Sequence, residues 1–469
     1  MADDIEFSFN GKKMNARQGQ SVAGALLAGG REVLSRSPKY RRPRGVYCAH
    51  GHCPNCLVRV DGVPHVRSCL VPARPGMRVE TEGGTGRRVD VYRSLGLIGR
   101  FFPVGFQYRW FKRQNLAWRL WEGRLRKLAA ETEVPAPFDV PEAERLRADL
   151  LVVGAGPAGI AAAATAARAG LRVVLAGRRA RLGGSAAPAL ADGTAGERLR
   201  QALELVRDAE NVTVLAPATV VAGFGEQYVI DRGDRVVEVT AKASVLATGA
   251  YERAVAFPGN DRPGVLLTGG LHRLVLEEGV LVGARAVLVT ADDTAYRLAA
   301  ELDRAGLRVQ AIVDGRRDGP GPSLKPPPGV EVLTGARVSR VRGRRRITGV
   351  VVEHAGTRRT IKCDVVGMSG GRQRADELRY SATSAGDAVV QGQRATRIDP
   401  VGWEQAPLPL LQGVGAVAGT IDPATAFAEG AAAGAWAAGR LAGDTELIAG
   451  AMTDLAALRS ANGARGSHG

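Results

Sequence analysis

The chain has 469 residues, 45% hydrophobic and 24% charged, which excludes a disordered or fibrous protein and suggests about three domains. Its net charge of +17 is spread along the whole sequence without a recognition-helix or ribonucleoprotein motif, so we expect no nucleic-acid partner. The sequence contains no apolar run of membrane-spanning length and no signal-peptide pattern at its start. We therefore expect a cytoplasmic protein without a transmembrane segment.

The first 30 residues carry a hairpin pattern followed by a helix pattern. Ile5–Phe9 alternates apolar and polar residues, and Asn10-Gly11 is a strong hairpin turn after which Lys12–Ala16 returns as a strand. Gln20–Ala28 is predicted to form a short helix that ends at Gly29-Gly30.

Four of the five cysteines follow with the spacing C-x4-C-x2-C-x12-C: Cys48, Cys53, Cys56 and Cys69. This spacing is typical of the plant-type [2Fe–2S] centre, and thiolates are the soft ligands that such clusters prefer. Structural zinc is the alternative, although zinc sites usually pair one C-x2-C with another or with histidines. A Rieske centre would use His50 and His52, which we interpret as loop residues because all four cysteines are suitably placed.

Hairpin, helix, cysteine loop and a second hairpin together predict a β-grasp ferredoxin-like domain over residues 1–84. A connector over residues 85–145 follows, and its segment Phe101–Lys127 is rich in aromatic and basic residues. Three interpretations remain open for this segment. It packs its rings against its own flavin domain, or it docks a partner, since Trp, Tyr and Arg dominate interface hot spots. Contact with a membrane surface is the third.

The next segment has the G-x-G-x-x-G pattern of a dinucleotide-binding fold in its required context. A buried strand, Ala148–Val153, runs into the glycine turn, and a helix over Ile160–Ala169 and a second strand over Leu171–Leu175 follow. The glycines permit the turn, the approach of the pyrophosphate and close helix packing. The predicted cofactor-binding residues here are Gly154, Gly156, Pro157, Ala158 and Gly159.

One position departs from the pattern. Arg178 stands where flavoproteins of this type usually carry the acid that binds the adenosine ribose, and an Arg there suits a phosphate instead. We still favour FAD, because Gly183, Gly184 and Ser185 follow in a Leu-Gly-Gly-Ser loop suited to lie along the FAD pyrophosphate.

Two later segments complete the FAD-binding domain, which we expect over residues 146–265 and 376–469. Val245–Gly249 is predicted as a strand that brings Ala247, Thr248 and Gly249 to the flavin. Gly413–Thr420 is predicted as the last strand, with Gly419 and Thr420 near the ribityl chain, before a helix over Ala424–Gly439.

Residues 266–375 are expected to form an inserted NAD-like domain. Its strand–helix–strand unit lies within Leu281–Gly315, but its phosphate turn, Thr290–Thr294, contains two aspartates and no glycine. Carboxylates cap a helix well and repel a pyrophosphate, so NAD(P) binding is doubtful. Asp314 remains a candidate to hold a ribose hydroxyl.

These motifs resemble the alpha-subunit family of heterotetrameric sarcosine oxidase, dye-linked proline and hydroxyproline dehydrogenases, opine oxidase and hydrogen cyanide synthase. The resemblance rests on PRGVYCAHGHCPNC at 43–56, FFPVGFQYRWF at 101–111, VVGAGPAGIAAA at 152–163 with LGGS at 182–185, ATGAYERAVAFPGNDRPGV at 247–265 and TADDTAY at 290–296. It implies a two-dinucleotide-binding-domain α/β flavoprotein, Rossmann-like, fused to the [2Fe–2S] domain.

The resemblance further implies an electron-transfer subunit of an amine or amino-acid dehydrogenase or oxidase, active only in complex. The substrate amine is then oxidised on a partner subunit of the D-amino-acid-oxidase type with its own FAD, and some relatives hold FMN at a subunit interface. We assign no catalytic residue to this chain. The alternatives are a self-sufficient NAD(P)H-dependent reductase and a non-catalytic scaffold subunit.

Overall fold

The structure, a computed structural model, describes residues 5–37, 42–82, 122, 142–186, 193–233, 235–321, 324–343, 346–379 and 410–466. The chain divides into two compact units, one of residues 1–136 with 252–372 and the other of residues 137–251 with 373–469. The aromatic and basic segment Phe101–Lys127 lies outside the described residues apart from Glu122. Among the helices of the described ranges, none has the length and apolar character needed to cross a bilayer.

The N-terminal part of the first unit is built on a five-stranded sheet beside one helix, Val22–Ala28. The strands lie in the spatial order Lys12–Ala16, Ile5–Phe9, Arg78–Thr81, Leu57–Val60 and Val63–Arg67. A short antiparallel pair, Ser35–Arg36 with Pro43–Arg44, precedes the cysteine loop. The helix begins two residues after the predicted start because the Ser21 hydroxyl accepts a hydrogen bond from the Gly24 N–H and caps it.

The inserted part of the same unit contains a parallel five-stranded sheet and a three-stranded antiparallel sheet, whose strands come before the last parallel strand in the chain. The parallel strands lie in the order Val265–Leu267, Val365–Ser369, Arg285–Thr290, Arg308–Asp314 and Glu331–Thr334. The antiparallel sheet consists of Arg337–Arg342, Gly349–His354 and Thr357–Ile361. Its helices are Thr268–His272, the π-helical Arg273–Glu277 and Thr294–Arg304.

The two parts of this unit share one hydrophobic core. Phe7, Leu26 and Val58 from the N-terminal part belong to the same buried cluster as Leu271 and Leu288 from the inserted part. Burial of each such side chain stabilises the fold by about 1.5–3 kcal/mol. The cysteine-bearing domain and the insert are therefore expected to fold as one body.

The second unit has a mixed seven-stranded sheet with helices packed on it. Its strands lie in the order Val212–Leu215, Val173–Ala176, Glu144–Val153, Val236–Leu246, Gln227–Asp231 and Thr219–Phe224, and Leu410–Gly413 also pairs with Val236–Leu246. The helices are Pro157–Arg168, Gly193–Asp208, Pro423–Ala442 and Thr445–Gly466, with 3-10 turns at Gly184–Ala186 and Gly415–Val417. The short strands Ala250–Glu252 and Arg372–Arg374 lie where the chain passes between the units.

The strand Glu144–Val153 lies in the middle of this sheet. Its C-terminal half, the apolar run Ala148–Val153, packs on both faces of the sheet, as such a run predicts. Leu150 and Val152 pack in one cluster with the helices, whereas Leu151 and Val153 pack in a second cluster with the antiparallel strands. Alternate residues of one strand therefore serve two cores.

The predicted last strand, Gly413–Thr420, is wrong beyond its first residue. The strand ends at Gly413, and the 3-10 turn Gly415–Val417 follows. Gly415 has φ 70° and Gly419 has φ 105°, so the backbone leaves the extended conformation twice within five residues.

Other predicted boundaries also move. The predicted strand Val245–Gly249 ends at Leu246, because Gly249 with φ 81° already belongs to a turn. The helix expected from Ile160 begins at Pro157, a residue that suits the first helical position. The strand expected over Leu171–Leu175 covers Val173–Ala176.

Candidate functional site

The four clustered cysteines lie on one loop and one hairpin of the first unit. Cys48, Cys53 and Cys56 precede the strand Leu57–Val60, and Cys69 comes after the return strand. The Ser68 N–H and hydroxyl both donate to the Cys56 carbonyl oxygen, at 3.2 and 2.7 Å. The hairpin thus brings the fourth cysteine back beside the third. Cys53 is half-buried and the other three are buried.

The four thiols form two hydrogen-bonded pairs. The Cys53 thiol donates to Cys48, and this hydrogen bond lowers the pKa of Cys48 to about 5 while raising that of Cys53. In the second pair the hydrogen bond from Cys69 lowers the pKa of Cys56 to about 7 and raises that of Cys69. In each pair one thiol thus loses its proton more readily than a free cysteine does, and thiolates are the metal-binding form.

The pairing suits a binuclear iron cluster. A [2Fe–2S] centre is held by four thiolates, two on each iron. The pair of Cys48 and Cys53 fits one iron, and the pair of Cys56 and Cys69 fits the other. In the part of the chain that the structure describes, no three His, Cys, Asp or Glu side chains are grouped to hold a single metal ion.

The two histidines of the loop have contacts of their own. The His50 Nδ1 lies 2.7 Å from the Cys48 carbonyl oxygen, and the rings of His50 and His52 stack with centroids 6.1 Å apart. These contacts accord with their interpretation as loop residues.

In the second unit, Gly154 and Gly159 are required by the fold itself. Gly154 follows the central strand with φ 112°, and a Cβ there would lie 2.2 Å from the Ala247 carbonyl oxygen. A Cβ on Gly159 would lie 1.8 Å from the Gly154 carbonyl oxygen. Neither position accepts a side chain, so both glycines hold the turn against the neighbouring strand.

Gly156 is different, because the protein leaves open space around it. A Cβ there would meet only the Gly184 Cα, at 4.0 Å. The helix Pro157–Arg168 begins directly after it without a side-chain cap, and the Pro157 nitrogen carries no hydrogen. The backbone N–H groups of the first turn are therefore available to an anion, as a pyrophosphate requires.

The Leu-Gly-Gly-Ser loop lies beside this turn. The Gly183 N–H donates to the Ala155 carbonyl oxygen at 2.9 Å, and a Cβ on Gly184 would lie 2.7 Å from the Gly156 Cα. Ser185 is exposed. The loop and the glycine turn together form one cradle of backbone atoms, which fits the diphosphate part of FAD.

Arg178 is exposed at the end of the strand Val173–Ala176. Burial raises the pKa of the Tyr251 hydroxyl, and the charge of Arg178 opposes that rise, which places the guanidinium near the phenol. Tyr251 also donates to Glu377 at 3.1 Å.

The turn after the strand Val236–Leu246 joins the cradle from the other side. The Ala247 N–H donates to the Val153 carbonyl oxygen at 2.8 Å, and the Thr248 hydroxyl donates to the Ala375 carbonyl oxygen. The Ala375 N–H returns a hydrogen bond to Gly249 at 3.1 Å. These hydrogen bonds hold the segment with which the chain re-enters the second unit after the insert.

The sequence did not single out Glu429, which organises the C-terminal predicted residues. Its carboxylate is fully buried and accepts hydrogen bonds from the Gly415 N–H, at 2.9 Å, and from the Thr420 hydroxyl. Gly419 is exposed with φ 105°. The sequence did contain a signal for this role, because Glu429 is a single glutamate within the Ala- and Gly-rich helix Pro423–Ala442. A carboxylate buried at such a position needs hydrogen-bond donors.

The phosphate turn of the insert is occupied by its own side chains. The Asp314 carboxylate is fully buried and accepts from the Tyr296 hydroxyl at 2.9 Å and from Arg316 at 2.8 Å. Arg316 also donates to Asp293 at 2.8 Å. The acid considered for a ribose hydroxyl is thus already bound within the domain.

Two family models match the chain. The model of a 2Fe-2S iron-sulfur cluster binding domain matches residues 2–84, and that of the pyridine nucleotide-disulphide oxidoreductases matches residues 148–401. These matches show the [2Fe–2S] and FAD modules and the mixed α/β flavoprotein fold that the sequence predicted.

Individual relatives extend the match. Sarcosine oxidase subunit alpha of Rhizobium meliloti (strain 1021) is 32% identical over 91% of this chain and 45% of that protein. Hydrogen cyanide synthase subunit HcnA of Pseudomonas aeruginosa is 40% identical over 17% of this chain and 75% of that protein. The chain thus spans less than half the length of the sarcosine oxidase subunit that it matches.

A solved structure agrees in fold. The crystal structure of L-proline dehydrogenase from P. horikoshii superposes with a TM-score of 0.63 at 21% identity, covering 94% of this chain and 74% of that chain. The chain belongs to the pyridine nucleotide-disulphide oxidoreductase family, within the group of sarcosine oxidase alpha subunits and relatives, and it carries an N-terminal [2Fe–2S] domain.

Proposed function

We propose that this chain is the electron-transfer subunit of a heteromeric flavin-dependent dehydrogenase or oxidase acting on amines or amino acids. The observation that carries the proposal is the presence of two redox-cofactor sites on one chain: two pairs of thiols and an uncapped glycine turn. The names of two relatives, an alpha subunit of sarcosine oxidase and a subunit of hydrogen cyanide synthase, support a role within a complex.

Some of the predicted site residues would contact a cofactor, and others keep the glycine turn in its conformation. Cys48, Cys53, Cys56 and Cys69 would hold the cluster through their thiolates. Gly156, Pro157, Ala158, Gly184 and Ser185 would face the FAD diphosphate, whereas Gly154, Gly159 and Gly183 keep the turn in place. Bound FAD and the cluster supply electron transfer, and the protein binds, orients and shields them.

The substrate site would belong to a partner subunit of the D-amino-acid-oxidase type with its own FAD. Sarcosine, proline, hydroxyproline and opine-like compounds form the substrate class, and FMN at a subunit interface is part of the same proposal. A cytoplasmic location is part of the same proposal. We also propose that the chain is organised into five segments, 1–84, 85–145, 146–265, 266–375 and 376–469.

The network in the insert argues against a self-sufficient NAD(P)H-dependent reductase. A nicotinamide dinucleotide would need the phosphate turn and the acid at the next strand end. Here Arg316 joins Asp293 of that turn to Asp314 at that strand end. Binding would have to break this partly buried ion network, in which only Asp314 is fully buried, at a cost that the ligand must offset.

The experiment that tests the proposal compares the isolated chain with the complex formed by co-expression with neighbouring gene products. We expect amine-dependent reduction of an electron-accepting dye by the complex and none by the isolated chain. Reduction by the isolated chain at a rate comparable to the complex would refute the subunit assignment. NADH-driven dye reduction by the isolated chain would favour the reductase instead.

A further inference from the structure

The insert of the first unit supports the cysteine loop directly. The short helix Thr268–His272 and the π-helical turn Arg273–Glu277 lie under the backbone of the loop. A Cβ on Gly270 would lie 2.8 Å from the Tyr47 carbonyl oxygen and 2.9 Å from that of Cys48. Only glycine allows this approach, so the helix and the first cluster cysteine are packed backbone to backbone.

Arg273 ties the two segments together with a hydrogen bond. Its guanidinium is buried, 9% exposed as a residue, and donates to the carbonyl oxygen of Ala49, the residue after the first cysteine. Ala49 has φ 51°, in the left-handed region that non-glycine residues rarely adopt. The hydrogen bond therefore holds a strained position of the cysteine loop.

The charge of Arg273 is balanced by one buried carboxylate. Glu278 lies 3.2 Å from the Arg273 Nε, and the exposed fractions of the two side chains are 11% and 8%. Glu278 also accepts hydrogen bonds from the Ser21 hydroxyl at 2.8 Å and from the Ser21 N–H at 3.3 Å. The pair is thus fixed between the insert and the N-terminal helix.

The guanidinium also places a positive charge at the cysteine loop. Its hydrogen-bond acceptor is the carbonyl oxygen of the residue directly after Cys48, and the arginine is buried from water. A nearby buried cation favours whichever state carries more negative charge. Reduction of a cluster adds one electron, and therefore one negative charge, at this place.

We propose that Arg273 is a positioning residue that holds the cysteine loop through Ala49 and shifts the reduction potential of the cluster to a more positive value. Glu278 limits that shift. The inference rests on the proposed cluster site, and it gives the insert a role in supporting and tuning the cluster. The insert is thus more than a nucleotide-binding domain that has lost its ligand.

The test is a reductive titration of the cluster in the purified full chain, with dye mediators and EPR detection of the reduced form. No substrate or partner is needed. Arg273→Gln should move the one-electron equilibrium at least tenfold toward the oxidised cluster, which is 59 mV or more in the negative direction. Glu278→Gln should move the potential in the positive direction, and Arg273→Lys should stay closer to the wild type than Arg273→Gln.

Arg346→Gln is the matched control, because Arg346 forms an ion pair with Glu32 at 2.8 Å in the same unit but is 71% exposed. It should leave the potential unchanged. If the Arg273→Gln variant does not bind a cluster, the reduction potential of Glu278→Gln alone tests the inference. Equal potentials in all variants, or shifts of Arg273→Gln and Glu278→Gln in one direction, would overturn the inference. Zinc in the wild-type chain would instead refute the proposed cluster.

Discussion

The three glycines of the dinucleotide turn differ in whether the fold itself requires them. Gly154 and Gly159 cannot carry a Cβ because backbone oxygens lie 2.2 and 1.8 Å from its ideal position. Gly156 meets no such obstacle and has φ −85°, which any residue adopts. The fold therefore does not require a glycine at 156, and we propose that a bound dinucleotide does.

Gly156→Val tests this distinction. Because the space around Gly156 is open, the free energy of unfolding of the apo-chain should fall by no more than about 1 kcal/mol, the cost of valine in place of glycine at a helix N-cap. FAD should be lost, because the valine side chain would take the place of the pyrophosphate. Flavin absorbance per chain after gel filtration, together with urea unfolding of the apo-form, gives both readings.

Gly450→Val is the control for that variant, since a Cβ at Gly450 has no atom within 4 Å. It should keep its flavin. Full retention of FAD by Gly156→Val would contradict the assignment of the glycine turn.

The five cysteines also divide into one that serves the hydrophobic core and four that are proposed to bind the cluster. Cys363 is completely buried, and burial raises its pKa to about 12, so it stays a thiol and serves the core. Cys53 is hydrogen-bonded to Cys48 in the loop. We expect Cys53→Ser to lose iron and labile sulfide while keeping FAD, and Cys363→Ala to keep both cofactors.

Iron and sulfide analysis after anaerobic purification makes that comparison. A full cluster in Cys53→Ser would show that this cysteine is not a ligand.

At the scale of elements, the flavin unit depends on two helices that approach to backbone contact. The helix Pro423–Ala442 places Gly430 and Gly434 against the helix Pro157–Arg168. A Cβ on Gly430 would lie 2.0 Å from the Ala158 carbonyl oxygen, and one on Gly434 would lie 2.5 Å from that of Ala162. The helix Pro423–Ala442 therefore packs on the helix whose first turn would bind the pyrophosphate.

Gly434→Val should force these helices apart. We expect a loss of about 1–3 kcal/mol in the free energy of unfolding, the usual cost of overpacking. Urea denaturation followed by circular dichroism measures it. Gly450→Val makes the same substitution on a helix without a contact, so the difference between the two variants isolates the packing effect. An equal stability of both variants would show that the helices have room to adjust.

The elements that sequence reasoning predicted well are those with local signals. Asn10-Gly11 specified its hairpin, and the glycine turn at 154–159 specified its strand and helix. The strand predicted over Gly413–Thr420 failed because its end depends on Glu429, fourteen residues from Gly415. Arg273 was also missed, because its contact with Ala49 joins residues 224 positions apart.

At the scale of the whole molecule, the insert shares its core with the N-terminal sheet. Leu271 and Leu274, beside Arg273, lie in the same cluster as Phe7 and Leu26. The domain order along the chain gave no sign of this pairing, because residues 137–251 of the second unit separate the two parts. One unit thus presents the cluster cysteines and the other presents the glycine turn.

The central claim is that electrons pass between the FAD and the cluster of this chain when a partner oxidises an amine. Its most direct test is EPR spectroscopy of the co-purified complex, frozen after mixing with each amine of the proposed class. We predict that the reduced [2Fe–2S] signal appears with the amine that the complex oxidises and is lost in a complex made with Gly156→Val. Continued turnover at the full rate with a cluster that stays oxidised would contradict the account.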